Sequence, residues 1–210
     1  NSLIVATQGR SIWMLDDLTV IHQLSSSIDE EKLYKPKDSY RMRGAGGRKS
    51  LTAGTNLPNG VIIHYFLPNY NDESDEVNLS IHSSDGELIK EFSNKGKENS
   101  IKVKKGGNSF VWDMKHPGAK RLDNMVLWGA DFSGAKTVPG DYIVKLSVND
   151  SELTQDFTIH KDPTSEGSIE DIKAQFEFVN EINGVVDEAH NAIENIRKIK
   201  NDLNKFQSDY

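Results

Sequence analysis

The sequence predicts a mainly β protein that ends in a long α-helix. Between residues 59 and 161, short runs alternate apolar and polar residues with a period of two and are separated by turn residues. From residue 168 onward the apolar residues recur in steps of three and four instead. Together these patterns favour an antiparallel β-sandwich followed by one amphipathic helix.

Composition limits the classes of function. The 210 residues carry a formal net charge of −7, which disfavours nucleic-acid binding because nucleic-acid binders usually show a basic surface. No apolar run approaches the roughly 18 to 20 residues that a membrane span needs. The absence of cysteine excludes disulfides and thiolate metal sites.

The first residues predict a two-stranded ribbon. Two β-favouring runs, residues 3–7 and 11–15, flank Gly9, which can adopt the positive φ of a tight turn. Two strands alone are marginal in water, so we expect the ribbon to belong to a larger sheet. Residues 18–32 are expected to connect it to the next domain.

The glycine-rich stretch of residues 41–50 does not fit a phosphate-binding loop. That motif would need glycines at positions 43 and 48, where the chain has Arg43 and Arg48. A solvated loop is the simpler interpretation.

About seven strands are predicted between residues 33 and 162. Residues 61–67 are almost continuously apolar, residues 77–81 alternate, and Asp85-Gly86 predicts a hairpin turn. Residues 101–103 are a candidate edge strand, residues 109–112 carry Phe110 and Trp112, and residues 141–159 predict a final hairpin. This number and spacing are typical of an immunoglobulin-like or fibronectin-like sandwich.

The C-terminal region, residues 163–210, predicts a long amphipathic helix. Ser168 is a candidate N-cap with Asp171 three residues later. Asn183-Gly184 leaves a helical hairpin as an alternative, but the apolar phase continues across it and favours one helix. The apolar positions proposed to contact a partner, including a second copy in a homodimer, are Ile172, Phe176, Val179, Val186, Ile193, Ile196 and Leu203.

Residues 5–17 resemble the closing blade of bacterial BNR-repeat, sortilin-like β-propeller proteins that carry a glycosyl hydrolase label, with Gln8 where that family has His. Residues 107–113 and 138–142 are similar to immunoglobulin-like modules of export systems. The resemblance implies an exported protein, located in the periplasm, at the cell surface or outside the cell. It also implies two partners for this region: its own propeller domain and helical sequence downstream.

We find no catalytic constellation, cofactor motif or metal site in the sequence. The six histidines lack the spacing of a metal site, and Asp123, Asp131 and Asp141 lack the pattern of a calcium loop. Trp112 and Tyr142 are expected in the core. Core packing is also the preferred interpretation of Trp128 and Phe132, and stacking on a sugar is the alternative for which these two residues are the candidates.

Two functions therefore remain open. The first is a non-catalytic accessory region that acts in scaffolding, oligomerisation or partner binding. The second is a carbohydrate-binding or active-site-completing region of a glycoside hydrolase.

Overall fold

A computed structural model describes residues 2–24, 29–42, 57–125, 129 and 131–208. The described chain is mainly β and ends in one long helix, which confirms the predicted fold class at that level. It divides into two compact units. Unit 1 comprises residues 1–114 and 139–165, and unit 2 comprises residues 115–138 and 166–210.

Unit 1 begins with the predicted ribbon. Strands β1 (Leu3–Ala6) and β2 (Ile12–Leu15) pair antiparallel, and every residue in them is exposed. In the described part of the connector that follows, residues Thr19–His22 form a short helix, α1.

Among the described residues of unit 1, eight further strands form two sheets. They are β3 (Lys32–Leu33), β4 (Ser39–Arg41), β5 (Val61–Leu67), β6 (Val77–Ser83), β7 (Leu88–Ser93), β8 (Gly106–Trp112), β9 (Gly140–Val148) and β10 (Ser151–Lys161). One sheet has the order β3-β5-β8 and the other the order β4-β10-β9-β6-β7. Neighbouring strands are antiparallel except β4, which runs parallel to β10 with Ser39 opposite Ile159.

The core of unit 1 follows from the alternation of apolar residues. In β5, every second residue from Val61 to Leu67 is buried, and β6 and β9 show the same pattern. The buried residues of both sheets form one hydrophobic cluster. At its centre Trp112 lies 6.1 Å from Tyr142 and 6.3 Å from Phe157 between ring centroids, which confirms the predicted core roles of Trp112 and Tyr142.

The hairpins predicted at Asp85-Gly86 and after Val148 are present as β6–β7 and β9–β10. The edge strand predicted at residues 101–103 is absent. Ile101 is buried and its N–H donates to Ser93 O at 3.1 Å, but the segment has no strand ladder.

Unit 2 is built from the helix α2 (Ile169–Ser208) and residues 115–138, which we call the loop segment. The helix has 40 residues and continues through Gly184, so the single long helix is confirmed. At 1.5 Å per residue it extends about 60 Å.

Candidate interaction surface

The start of α2 is fixed by a reciprocal capping box. Ser168 N–H donates to Asp171 Oδ2 at 2.8 Å, and Asp171 N–H donates to Ser168 Oγ at 3.0 Å. Hydrogen bonds from the backbone N–H and then the hydroxyl of Ser168 hold the pKa of Asp171 below its usual value of 3.8. The carboxylate therefore stays charged at the positive end of the helix, where it is stabilising.

The loop segment folds back on itself, and its described residues form no regular strand. His116 N–H donates to Ala135 O at 3.0 Å, and residues 115 and 136 form an isolated antiparallel bridge. The beginning and the end of the loop segment approach each other closely at two glycines. A Cβ on Gly134 would lie 2.0 Å from His116 O, and one on Gly118 would lie 1.7 Å from Phe132 O. Only glycine fits at either position.

The loop segment covers one face of α2, which we call the inner face. The ring of His116 lies edge-on to Phe176 at 4.7 Å between centroids, and that of Phe132 lies 5.7 Å from His190. His190 is 5% exposed, and its Nδ1 donates to Lys120 O at 2.5 Å. Because a carbonyl oxygen can only accept, Nδ1 carries the ring proton.

Polar contacts continue the inner face toward the end of the helix. Lys120 N–H donates to Asp187 Oδ1 at 2.6 Å, and its ammonium group lies 2.5 Å from Glu194 Oε2. Arg197 donates to Asp123 O at 3.2 Å. Arg197 is the last helix residue with such a contact to the loop segment among the described hydrogen bonds, and residues 198–208 are exposed all round.

A second apolar surface, the outer seam, runs along another face of α2. Its residues alternate in steps of four and three, which is the heptad spacing of a coiled coil. They are Phe178, Ile182, Val185, Ala189, Ala192, Ile196, Ile199 and Leu203. The six large side chains among them are 46% to 65% exposed, and both alanines are exposed. Phe206 continues the spacing.

The predicted interaction residues fall on both faces. Ile172 is buried, and Phe176, Val179 and Val186 are half-buried; their spacing places them on the inner face. Ile193 lies at the border with 37% exposure, whereas Ile196 and Leu203 belong to the outer seam. The apolar positions predicted from the sequence do not include Phe178, Val185 and Ala192, and they belong to two different surfaces of the helix. Strict heptad counting from Phe178 would have separated them.

Of the two candidate sugar-stacking residues, the structure describes only Phe132. Trp128 lies outside the described residues. Phe132 is half-buried, with the Arg121 guanidinium 5.8 Å from its ring centroid on one side and His190 as a further neighbour. Stacking on a sugar stays a prediction.

Unit 1 contains a cavity of about 680 Å³, lined in part by Val20, Tyr34, Phe66, Lys102 and Ser109. Beside it, His64 Nε2 lies 3.5 Å from Asp17 Oδ2. Burial raises the pKa of Asp17, but hydrogen bonds from Thr19 and the nearby His64 outweigh this and lower it overall. We find no nucleophile paired with a base at this cavity.

In the part of the chain that the structure describes, no three His, Asp or Glu side chains are grouped so that they could hold a metal ion. No helix among the described residues is long and apolar enough to span a membrane. No family model, curated protein or solved structure matches the chain.

Proposed function

We propose that this region is a non-catalytic association module, in which an immunoglobulin-like β-sandwich carries a long helix that offers its outer seam to another protein chain. The exposure of the outer seam carries this proposal. Exposed apolar residues are scattered singly on an ordinary protein surface, whereas the outer seam places six large exposed apolar side chains in one line. Such surfaces mark interaction sites.

The strand order supports the immunoglobulin-like assignment. In that fold, strands A, B, E and D form one sheet, and strands C, F and G form the other; no D strand is present among the described residues. The sheets β3-β5-β8 and β4-β10-β9-β6-β7 reproduce this order if β7 is an added C′ strand. The first strand is divided between the sheets, since β3 pairs with β5 and β4 pairs with β10.

We further propose that the region belongs to a larger exported propeller protein. The ribbon of β1 and β2 is consistent with this origin. All eight of its residues are exposed, among them Trp13 at 66%, and a two-stranded sheet is only marginally stable alone. The neighbouring strands of a propeller blade would cover it.

The association role is tested by hydroxyl-radical footprinting of the full chain at a dilution where light scattering gives a monomer. We expect Phe178, Ile196 and Leu203 to react readily and Ile172 on the inner face to be protected. If the seam residues of the monomer were as protected as Ile172, the chain would be covering its own seam. The outer seam would then not be accessible to a partner, and the proposal would be wrong.

A further inference from the structure

We propose that the partner of the outer seam is a second copy of this chain, bound as an antiparallel two-stranded coiled coil. This inference rests on the proposed association function and names its partner. Three properties of the seam support it: the apolar area that it offers, the order of large and small residues along it, and the distribution of charge along α2.

The area is sufficient for a specific dimer. A large apolar side chain that is about 60% exposed offers roughly 100 Å² of surface, so six of them offer roughly 600 Å² per helix. Two helices would bury about 1,200 Å² in total, which reaches the range of stable protein interfaces. The seam covers about 38 Å of helix between Phe178 and Leu203, and its repeat of 3.5 residues matches a left-handed supercoil.

The order of residue sizes favours an antiparallel pair. In an antiparallel coiled coil, residues from the two alternating seam positions face each other across the interface. One register then places Ala189 opposite Ile199 of the second copy and Ala192 opposite Ile196. Each small residue meets a large one, which keeps the helix separation even and the core filled. In a parallel pair, Ala189 would instead face Ala189 of the second copy and Ala192 would face Ala192, which would leave two layers of small residues.

The same register places Val185 opposite Leu203 and is symmetric about position 194. Each half of one helix therefore faces the opposite half of the other. In this arrangement a charge difference between the two halves becomes an attraction between the two copies.

Such a difference exists. In the stretch that this register pairs, residues 180–193 contain three acidic side chains and no lysine or arginine, a net charge of −3. They face residues 195–208, which contain four basic side chains and one acidic one, a net charge of +3. A parallel pair would stack the acidic halves side by side. The antiparallel register does bring Glu188 near Asp202, but Lys198 and Lys205 flank Asp202 within one helical turn.

The first test is the mass of the full chain by light scattering over a range of concentrations. We expect a shift from 23.5 kDa to twice that mass as concentration rises, together with loss of seam reactivity in footprinting. Ile196→Glu should raise the dimer dissociation constant by at least about 100-fold, because it buries a charge in the seam. The control is Asn204→Glu, which adds the same charge at an exposed position off the seam. Circular dichroism should show equal helix content in both variants at high dilution.

The second test fixes the orientation and uses the lack of natural cysteine. A mixture of Val185→Cys and Leu203→Cys chains should form a mixed disulfide on mild oxidation. Leu203→Cys alone should not form a disulfide dimer, because in the antiparallel register each copy of residue 203 lies about 27 Å from the other along the axis.

The outcomes separate the two proposals. A chain that stays monomeric at high concentration with a reactive seam overturns the second-copy inference and leaves the association function standing. A monomer with a protected seam overturns both. Efficient disulfide formation by Leu203→Cys alone would establish a parallel pair and overturn the antiparallel arrangement.

Discussion

Replacing His190 should weaken the packing of the loop segment against α2, and thus lower the free energy of local opening, more than any substitution on the outer seam. The side chain is 5% exposed, and its Nδ1 proton is donated to Lys120 O at 2.5 Å. His190→Phe keeps a ring of similar size but removes the donor. His190→Ala removes the donor and the ring contact with Phe132.

The magnitudes follow from these two contacts. Phenylalanine leaves a part-buried carbonyl without its donor, and the loss of such a partner costs about 1–3 kcal/mol, so His190→Phe should destabilise unit 2 by about 2 kcal/mol. The lost ring contact adds about 1 kcal/mol, so His190→Ala should cost about 3 kcal/mol. Each 1.4 kcal/mol corresponds to a factor of about ten in an opening equilibrium.

Hydrogen–deuterium exchange of the helix amides at residues 172–197 measures this effect. Exchange through local opening should become about 30-fold faster in His190→Phe and faster still in His190→Ala. Lys198→Ala, an exposed position on the same helix, is the control and should exchange like the unmodified chain. If His190→Phe also exchanged like the unmodified chain, the hydrogen bond to Lys120 O would not hold the helix and the reasoning would be refuted.

Three further predictions concern unit 2. Gly184→Ala should stabilise α2 by about 1 kcal/mol in chemical denaturation, since no described atom outside the adjacent helix backbone lies within 4 Å of the added Cβ; a loss of stability would show that the position is crowded. Gly134→Ala should cost about 2 kcal/mol or more, because its Cβ would lie 2.0 Å from His116 O, and an unchanged denaturation midpoint would contradict that close approach. The pKa of Asp171 in the folded chain is lowered from 3.8. The stability that its charged carboxylate gives to α2 is therefore fully present above pH 3.8 and is lost as the pH falls through the lowered pKa of the folded chain. The difference in helix content between the unmodified chain and Asp171→Ala should therefore vanish at the acidic end of a pH titration monitored by circular dichroism, and a difference that persisted there would contradict the role of the charge.

The sequence predicted those elements whose signal is local. The hairpins β6–β7 and β9–β10 were predictable because each combines alternating strands with a short polar turn. The parallel pairing of β4 with β10 was not, because Ser39 and Ile159 are 120 residues apart and nothing in three residues of strand specifies a distant partner. The burial of Ile101 without a strand has the same origin, since an apolar residue can enter a core from an irregular segment.

The candidate surface was predictable only in part. The helical period of residues 172–206 was clear, but the apolar residues were assigned to one stripe because no partner for the inner face was recognised. That partner is the loop segment, which has no periodicity of its own. It contacts the helix through the backbone carbonyl of Lys120 and the ring of His116, and close contacts at glycines hold the loop segment against itself. These features depend on tertiary structure, and no sequence pattern reports them.

Arg197, the last helix residue with a described hydrogen bond to the loop segment, is where the energetic case for association begins. Residues 198–208 are helical and exposed all round, yet a helix of 11 residues is at best marginal in water without packing. The preceding turns, held by the loop segment, act as the helix nucleus. Residues 198–208 therefore extend an existing helix by propagation and avoid the unfavourable nucleation step. Propagation alone does not explain why Ile199 and Leu203, which lie beyond the last described hydrogen bond to the loop segment and are 60% and 63% exposed, keep the heptad phase of the outer seam. A second helix packed along the seam would bury them and stabilise this last part of α2, which is why we place the partner there and not on the inner face.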